Sequence, residues 1–401
     1  MGNKSHKGTV VSAGSGGHQD QQAVQLPPYH GSPCHYQLLE MSVTFQNNMA
    51  FNFSPGQNMI STNIDSYYPA LAQPYQQGWR MTSFYRIPGV AQQQGLFSTA
   101  VNVPFQGIFV RLASDPEFCS EQYQLKVEKS IMYVATFRGG MLSLTGPQGV
   151  QGDMSDIQMK IAQNTQHGGR LVCVEMSGQY VTQGMGAAMR GVSPGIGVDV
   201  FFNMPLHPNP RCYTYQAVNV PIGIRSKMGF TPTIQVQCDW MSHYAAFLQQ
   251  GWRLVEIFLD QSYMRSGAFS TSATMNTVWF FEKPADALND PTPVYEGTIV
   301  DFEHKITGGF GGARGSAGWN PVLEDMGTRG WELACILETP EIRTTGIGQI
   351  KMKLLLFFQR KIVRQYPGSA EAAPPPPGFA VPPTAEKAEP VMTEKPEHFN
   401  Q

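Results

Sequence analysis

Helix-like and strand-like patterns of apolar residues follow one another in the same order several times along the chain. Residues 239–251 show it most plainly. Asp239 is a capping residue, and Trp240, Tyr244, Phe247 and Leu248 recur at i, i+4, i+7 and i+8, one face of a helix. Gly251 supplies a left-handed stop. Residues 252–259, Trp-Arg-Leu-Val-Glu-Ile-Phe-Leu, then read as a buried strand. The same succession predicts a helix capped by Asn320, with Pro321 in its first turn and Gly330 at its end, before a strand over 331–337. Ile157 and Ile161 before Gly168, followed by a strand over 171–176, make a further instance. Around Pro69 and Pro74 the helix should be short or broken, because an interior proline costs about 3 kcal/mol.

Three short phrases tie these segments together. Gly-Trp-Arg or a variant of it stands at Gly78-Trp79-Arg80, Gly168-Gly169-Arg170, Gly251-Trp252-Arg253 and Gly330-Trp331-Glu332. Before each stands Tyr36-Gln37, Tyr123-Gln124, Tyr215-Gln216 or Tyr295-Glu296. After the last three comes an aromatic pair, Phe201-Phe202, Phe280-Phe281 or Phe357-Phe358, and after the first only Ile108-Phe109-Val110. The expected fold class is α+β: four diverged strand-helix-strand-strand repeats forming mostly antiparallel sheets, with helices packed on one face and disordered termini. The expected division is a disordered segment over 1–33, repeats one and two over 34–205, repeats three and four over 206–365, and a disordered Pro/Ala/Glu-rich tail over 366–401.

Charge and hydropathy narrow the function. The formal net charge is −2, and 41% of residues are hydrophobic, enough for a sizeable core. The tail carries five Glu and two Lys, which leaves the body near neutral and argues against nucleic acid as a partner. No apolar run reaches 18 residues. The densest, Leu354 to Phe358, is too short to cross a bilayer. The six cysteines are scattered, with no Cys-x-x-Cys, and read as reduced, small buried hydrophobes. His30, Cys34 and His35 cluster loosely, without a second ligand pair to make a metal site.

A search for catalytic constellations finds none that holds. The Gly-rich stretch 308–316 lacks the lysine of a phosphate-binding loop, and 184–191 falls between strands rather than between a strand and a helix. His243 reads as a packed or surface residue. The tryptophans beside arginines read as core packing where a strand leaves a helix. No catalytic residue, cofactor or metal site is expected, and the chain is expected not to be an enzyme. In a third reading, an enzyme or ligand-binding protein, the Gly-rich loops at 184–197 and 307–318 would frame a pocket.

The phrases in this order resemble the raftlin family of membrane-raft-associated proteins. The stretch Val322 to Cys335 resembles the family's helix-Gly-Trp-strand, Leu337-Glu338-Thr339-Pro340 its Leu-x-Thr-Pro, and Phe357-Phe358-Gln359-Arg360 its closing Phe-Leu-Gln-Arg. The Asp239-Trp240 opening and Tyr36-Gln37-Leu38-Leu39-Glu40 are similar as well. The resemblance implies a non-enzymatic scaffold at the cytoplasmic face of the plasma membrane, in rafts, with a cytosolic pool. It would support raft organisation, receptor signalling or uptake through receptor or signalling partners. It also implies a lipid anchor on Gly2. Asn3 stands where the family has a second acylated residue, a cysteine, and His6 departs from the usual Ser or Thr of the acylation signal. One myristoyl chain alone gives only about 10⁴ M⁻¹ of membrane binding, so the anchor should be reversible. The alternative is a soluble cytosolic protein-interaction module with Gly2 unmodified.

Overall fold

The structure is a computed structural model, and it describes residues 9–11, 29–47, 59–61, 64–88, 91–93, 100–138, 148–181, 195–207, 210–227, 233–265, 272–309, 312–315, 317–346 and 348–363. After a first short strand, β1 (Thr9–Val11), the chain runs through four sections. The first holds β2 (His35–Asn47), β3 (Met59–Ser61), α1 (Tyr68–Ala72), β4 (Arg80–Arg86), β5 (Ala91–Gln93) and β6 (Ala100–Arg111). A five-residue helix α2 (Pro116–Ser120) links it to the second, which has β7 (Tyr123–Arg138), β8 (Gln148–Asp153), α3 (Ser155–Thr165), β9 (Arg170–Val181) and β10 (Gly195–Pro205). The third has β11 (Tyr213–Lys227), β12 (Thr233–Gln237), α4 (Trp240–Leu248), β13 (Arg253–Arg265) and β14 (Ser272–Pro284). The fourth has β15 (Tyr295–Gly309), β16 (Gly312–Arg314), α5 (Asn320–Thr328), β17 (Glu332–Gly346) and β18 (Gln349–Lys361).

Strands dominate, so the architecture is more β-rich than an even α+β mixture. Every strand ladder among the described residues is antiparallel. In each section the last strand lies between the other two long ones, giving the orders β2–β6–β4, β7–β10–β9, β11–β14–β13 and β15–β18–β17. A short strand absent from the sequence expectation (β3, β8, β12 or β16) pairs with the far half of the outer strand. Three of these also reach the following section: β8 pairs with β13, β12 with β17, and β16 with β5 back in the first section. β3 lies against β9. The four inner strands touch in the cyclic order β4, β9, β13, β17, β4, so the sections close into a ring around a common axis.

Packing explains the paired phenylalanines. Neighbouring strand residues point to opposite faces, and each middle strand is buried on both. Phe201 joins a core between sections one and two, and Phe202 one between sections two and three. Phe280 and Phe281 divide likewise, as do Phe357 and Phe358. In section one Ile108 and Phe109 take the same two places. The hydrophobic cores thus sit between successive sections rather than within them.

The helices form where the pattern places them, with local exceptions. Asp239 caps α4, its carboxylate accepting the Ser242 amide at 3.1 Å. Asn320 is instead the first residue of α5; Trp319 holds the cap position, buried among the apolar residues of the core and without a side-chain cap bond. The two prolines hold α1 to five residues between 3₁₀ turns. The helices also do not keep to one face of their own sheet. The Leu71 side chain of α1 rests on Gly107 of its own sheet. Leu248 and Tyr244 of α4 cover Gly297 in the next section, where a Cβ would come within 2.5 Å of both side chains.

Candidate functional site

The helical segment of each section ends on a glycine with φ between +76° and +79°, namely Gly78, Gly168, Gly251 and Gly330, a left-handed turn that only glycine adopts without strain. The inner strand leaves at once, and four residues after the glycine it bulges. The residues skipped by the ladders are Thr82, Val172, Val255 and Ala334. A bulge re-aims side chains and leaves backbone groups unpaired. Here both effects point at the axis.

The four bulge residues line a cavity of about 210 Å³ at one end of the ring, together with Arg80, Arg170, Arg253 and Glu332. The residue before each bulge is completed by a side chain of the following section. Asn203 Nδ2 donates to the Met81 carbonyl at 3.1 Å, and the Leu171 amide donates to the Tyr215 hydroxyl at 2.9 Å. Gln359 binds both backbone groups of Leu254, at 3.1 and 2.8 Å. The Leu333 amide donates to the Tyr36 hydroxyl at 2.7 Å, and that hydroxyl donates to the Trp331 carbonyl at 2.8 Å. Every section is therefore latched by the next, and the fourth by the first.

Charge forms a second belt at the same level. Arg170 and Arg253 both pair with Glu282, which is 1% exposed, and Arg253 also pairs with Glu332. The Tyr215 hydroxyl donates to Glu282 at 2.6 Å. Burial opposes the ionised form of Glu282, but the two guanidiniums outweigh it and hold the carboxyl down at about 2. Arg80 faces Glu121 at 3.8 Å and lies over the Phe118 and Tyr123 rings. At the mouth Lys361 pairs with Asp115 and Glu117, and Arg211 with Glu117 and Asp286.

The tryptophans carry a further regularity. Trp79, Trp252 and Trp331 each follow a left-handed glycine and each lie beside a cation at the end of the middle strand: Arg111, Lys283 and Arg360, at 4.8, 5.8 and 4.3 Å from the ring centre. In section two both partners differ together. Gly169 stands for the tryptophan and Met204 for the cation, and a Cβ on Gly169 would lie 2.6 Å from the Met204 sulfur.

Chemically the cavity is saturated. Most of its cations pair with carboxylates, and its volume is below the roughly 300–1,000 Å³ of a site for a drug-sized ligand. Farther along the axis Cys173, Glu256 and Cys335 occupy equivalent places. Glu256 accepts the Ile257 amide at 2.7 Å, and burial pushes both thiols well above their usual range, which makes them inert. None of the described residues of the Gly-rich stretches, 195–197, 307–309, 312–315 and 317–318, lines this cavity.

The sequence candidates are dispersed. Gly2 and the tail lie outside the described residues. His30 and His35 are exposed while Cys34 is buried, and no described group of three His, Cys, Asp or Glu could hold a metal. Cys34 is therefore inaccessible to an acyl donor; Cys119 and Cys212 are exposed. His243 is exposed at the edge of the Trp279 ring. The latching residues Asn203, Tyr215 and Gln359 were missed. Their signal was a polar side chain directly after an apolar aromatic pair, or the tyrosine of the opening phrase.

A family model described as Raftlin matches residues 142–372. Raftlin of Gallus gallus is 28% identical over 164 residues, which cover 41% of this chain and 26% of that protein. Raftlin of Mus musculus is 26% identical over 165 residues, and that of Homo sapiens 25% over 164. The matched stretch thus spans about a quarter of the length of these relatives. No solved structure matches. No helix among the described residues is long and apolar enough to cross a membrane.

Proposed function

Because the chain belongs to the raftlin family, we propose that it is a non-enzymatic scaffold held at the cytoplasmic face of the plasma membrane by an acyl group on Gly2, where it supports raft organisation, receptor signalling or uptake. The observation that carries this reading is the family match over residues 142–372. The four sections are, in the same reading, diverged copies of one unit. The shared left-handed glycine, the bulge at one position and the cyclic latches support that descent.

Apolar side chains favour one face for the membrane. Leu206 is 54% exposed just past β10, Leu288 and Val294 are exposed past β14, and Ile362 and Val363 past β18. All follow the ends of middle strands, on the side where the cavity opens, and Arg211 and Lys361 stand among them. Such a surface adds apolar contact area to the weak pull of a single acyl chain.

Localisation of the wild type beside Gly2→Ala, with metabolic fatty-acid labelling, tests the anchor. Membrane enrichment that disappears in Gly2→Ala is expected. A soluble wild type in cells with active myristoyl transfer, or an intact mass without the acyl adduct, would overturn it and leave the interaction-module reading.

A further inference from the structure

Residues 9–11 lie on the body as a strand. β1 runs antiparallel to the outer strand β15, with Thr9 opposite Ile299, Val10 opposite Thr298 and Val11 opposite Gly297. β18 covers the other side of the same stretch. The ladder therefore uses an outer sheet edge, the kind of surface that accepts an added strand. The near halves of β2, β7 and β11 carry no strand on that side among the described residues.

Two features define what fits. At Gly297 the α4 side chains Leu248 and Tyr244 close one face, leaving an arriving chain to read the edge mainly through its backbone. The occupant, Thr-Val-Val, is the β-branched exception in a segment otherwise rich in Gly, Ser, His and Gln. Its ladder is only three residue pairs long, and short pairings of this kind are marginal. What favours the internal copy is that it belongs to the same chain, so its pairing is intramolecular.

We propose that the Gly297–Ile299 edge of β15 is a strand-addition site for an extended, uncharged, β-branched peptide of a partner protein, kept closed by the chain's own Thr9–Val11. Pulling on the amino terminus opens it. The acyl group of the preceding reading would do so, since Gly2 precedes Thr9 by seven residues, but the site does not depend on that reading.

Hydrogen exchange on the full chain tests it, comparing the wild type with Val10→Pro and with the triple change Thr9→Gly, Val10→Gly, Val11→Gly. In both variants the 297–299 amides that point away from β18 should exchange at least tenfold faster. A synthetic peptide of residues 6–14 should restore their protection and bind the triple variant at least tenfold more tightly than the wild type. The same peptide carrying Val10→Pro should do neither. Equal exchange in wild type and variants, failure of the peptide to protect the opened edge, or equal binding of the proline peptide would overturn the proposal. The circular dichroism and melting temperature of each variant report whether the body is intact, and the triple variant serves if Val10→Pro is misfolded.

Discussion

Tyr36 and Leu333 stand 297 residues apart, yet the Leu333 amide donates to the Tyr36 hydroxyl at 2.7 Å. This bond is the latch between the last section and the first. Tyr36→Phe leaves the Leu333 amide and the Trp331 carbonyl without that partner, a loss of about 1–3 kcal/mol. A urea midpoint lowered to match, with an unchanged slope, is expected. A midpoint equal to the wild type would show that water or a neighbour replaces the hydroxyl.

The charged belt should be intolerant at its centre and tolerant at its rim. Arg253→Met strands Glu332 and half of the Glu282 pairing in a largely buried place, for a cost of about 3–5 kcal/mol. Lys361→Ala acts at a side chain 38% exposed and should cost no more than about 1 kcal/mol. Denaturant titration of the two variants side by side measures the contrast.

The buried carboxyls set a pH window. Burial raises Glu256 well above its usual range and Glu175 to about 7, with Arg86 partly offsetting the latter and Glu338 adding to the rise. The folded chain binds these protons more tightly than the unfolded one. Their contribution is therefore complete below the ordinary carboxyl range; that of Glu175 is lost as pH rises from there through about 7, and that of Glu256 as pH rises toward its own raised value. Glu282 acts in reverse: its contribution is present above the ordinary range and lost as pH falls toward about 2. Stability should peak near the ordinary carboxyl range and fall as pH rises from there toward about 7. Glu175→Gln should flatten that fall, which urea unfolding across the range would detect. An undiminished slope would remove Glu175 from the account.

Two of the four left-handed glycines offer a controlled comparison. At Gly78 nothing lies within 4 Å of an added Cβ, so Gly78→Ala should cost only the backbone strain, about 1–2 kcal/mol. At Gly251 the new methyl would meet the Thr292 carbonyl oxygen at 2.7 Å, so Gly251→Ala should cost clearly more. Thermal melts of the two variants should separate accordingly.

Much of this fold could be read locally. The capping Asp239, the prolines that shorten α1, the stopping glycines and the strands after them all follow from nearest neighbours in the chain. The bulges did not, because Thr82, Val172, Val255 and Ala334 differ in character and are displaced by what the neighbouring strand does. Nor did the latches: Asn203, Tyr215, Gln359 and Tyr36 answer one need with different chemistry. Each is intelligible only once the following section is in place. The Phe pairs were visible, but that their members serve different cores was not.

The Tyr29 hydroxyl donates to the Lys361 carbonyl at 3.1 Å across 332 residues. The entry to the first of the four sections and the exit from the fourth are thus neighbours. Such a body has no structural first or last section, and its order of synthesis is only one of several that would give the same object. A rearranged gene, joined across those ends and reopened in the link between β10 and β11, should encode the same ring. In that protein the strap that covers β15 and whatever draws on the amino terminus could be moved or removed without cutting into the body.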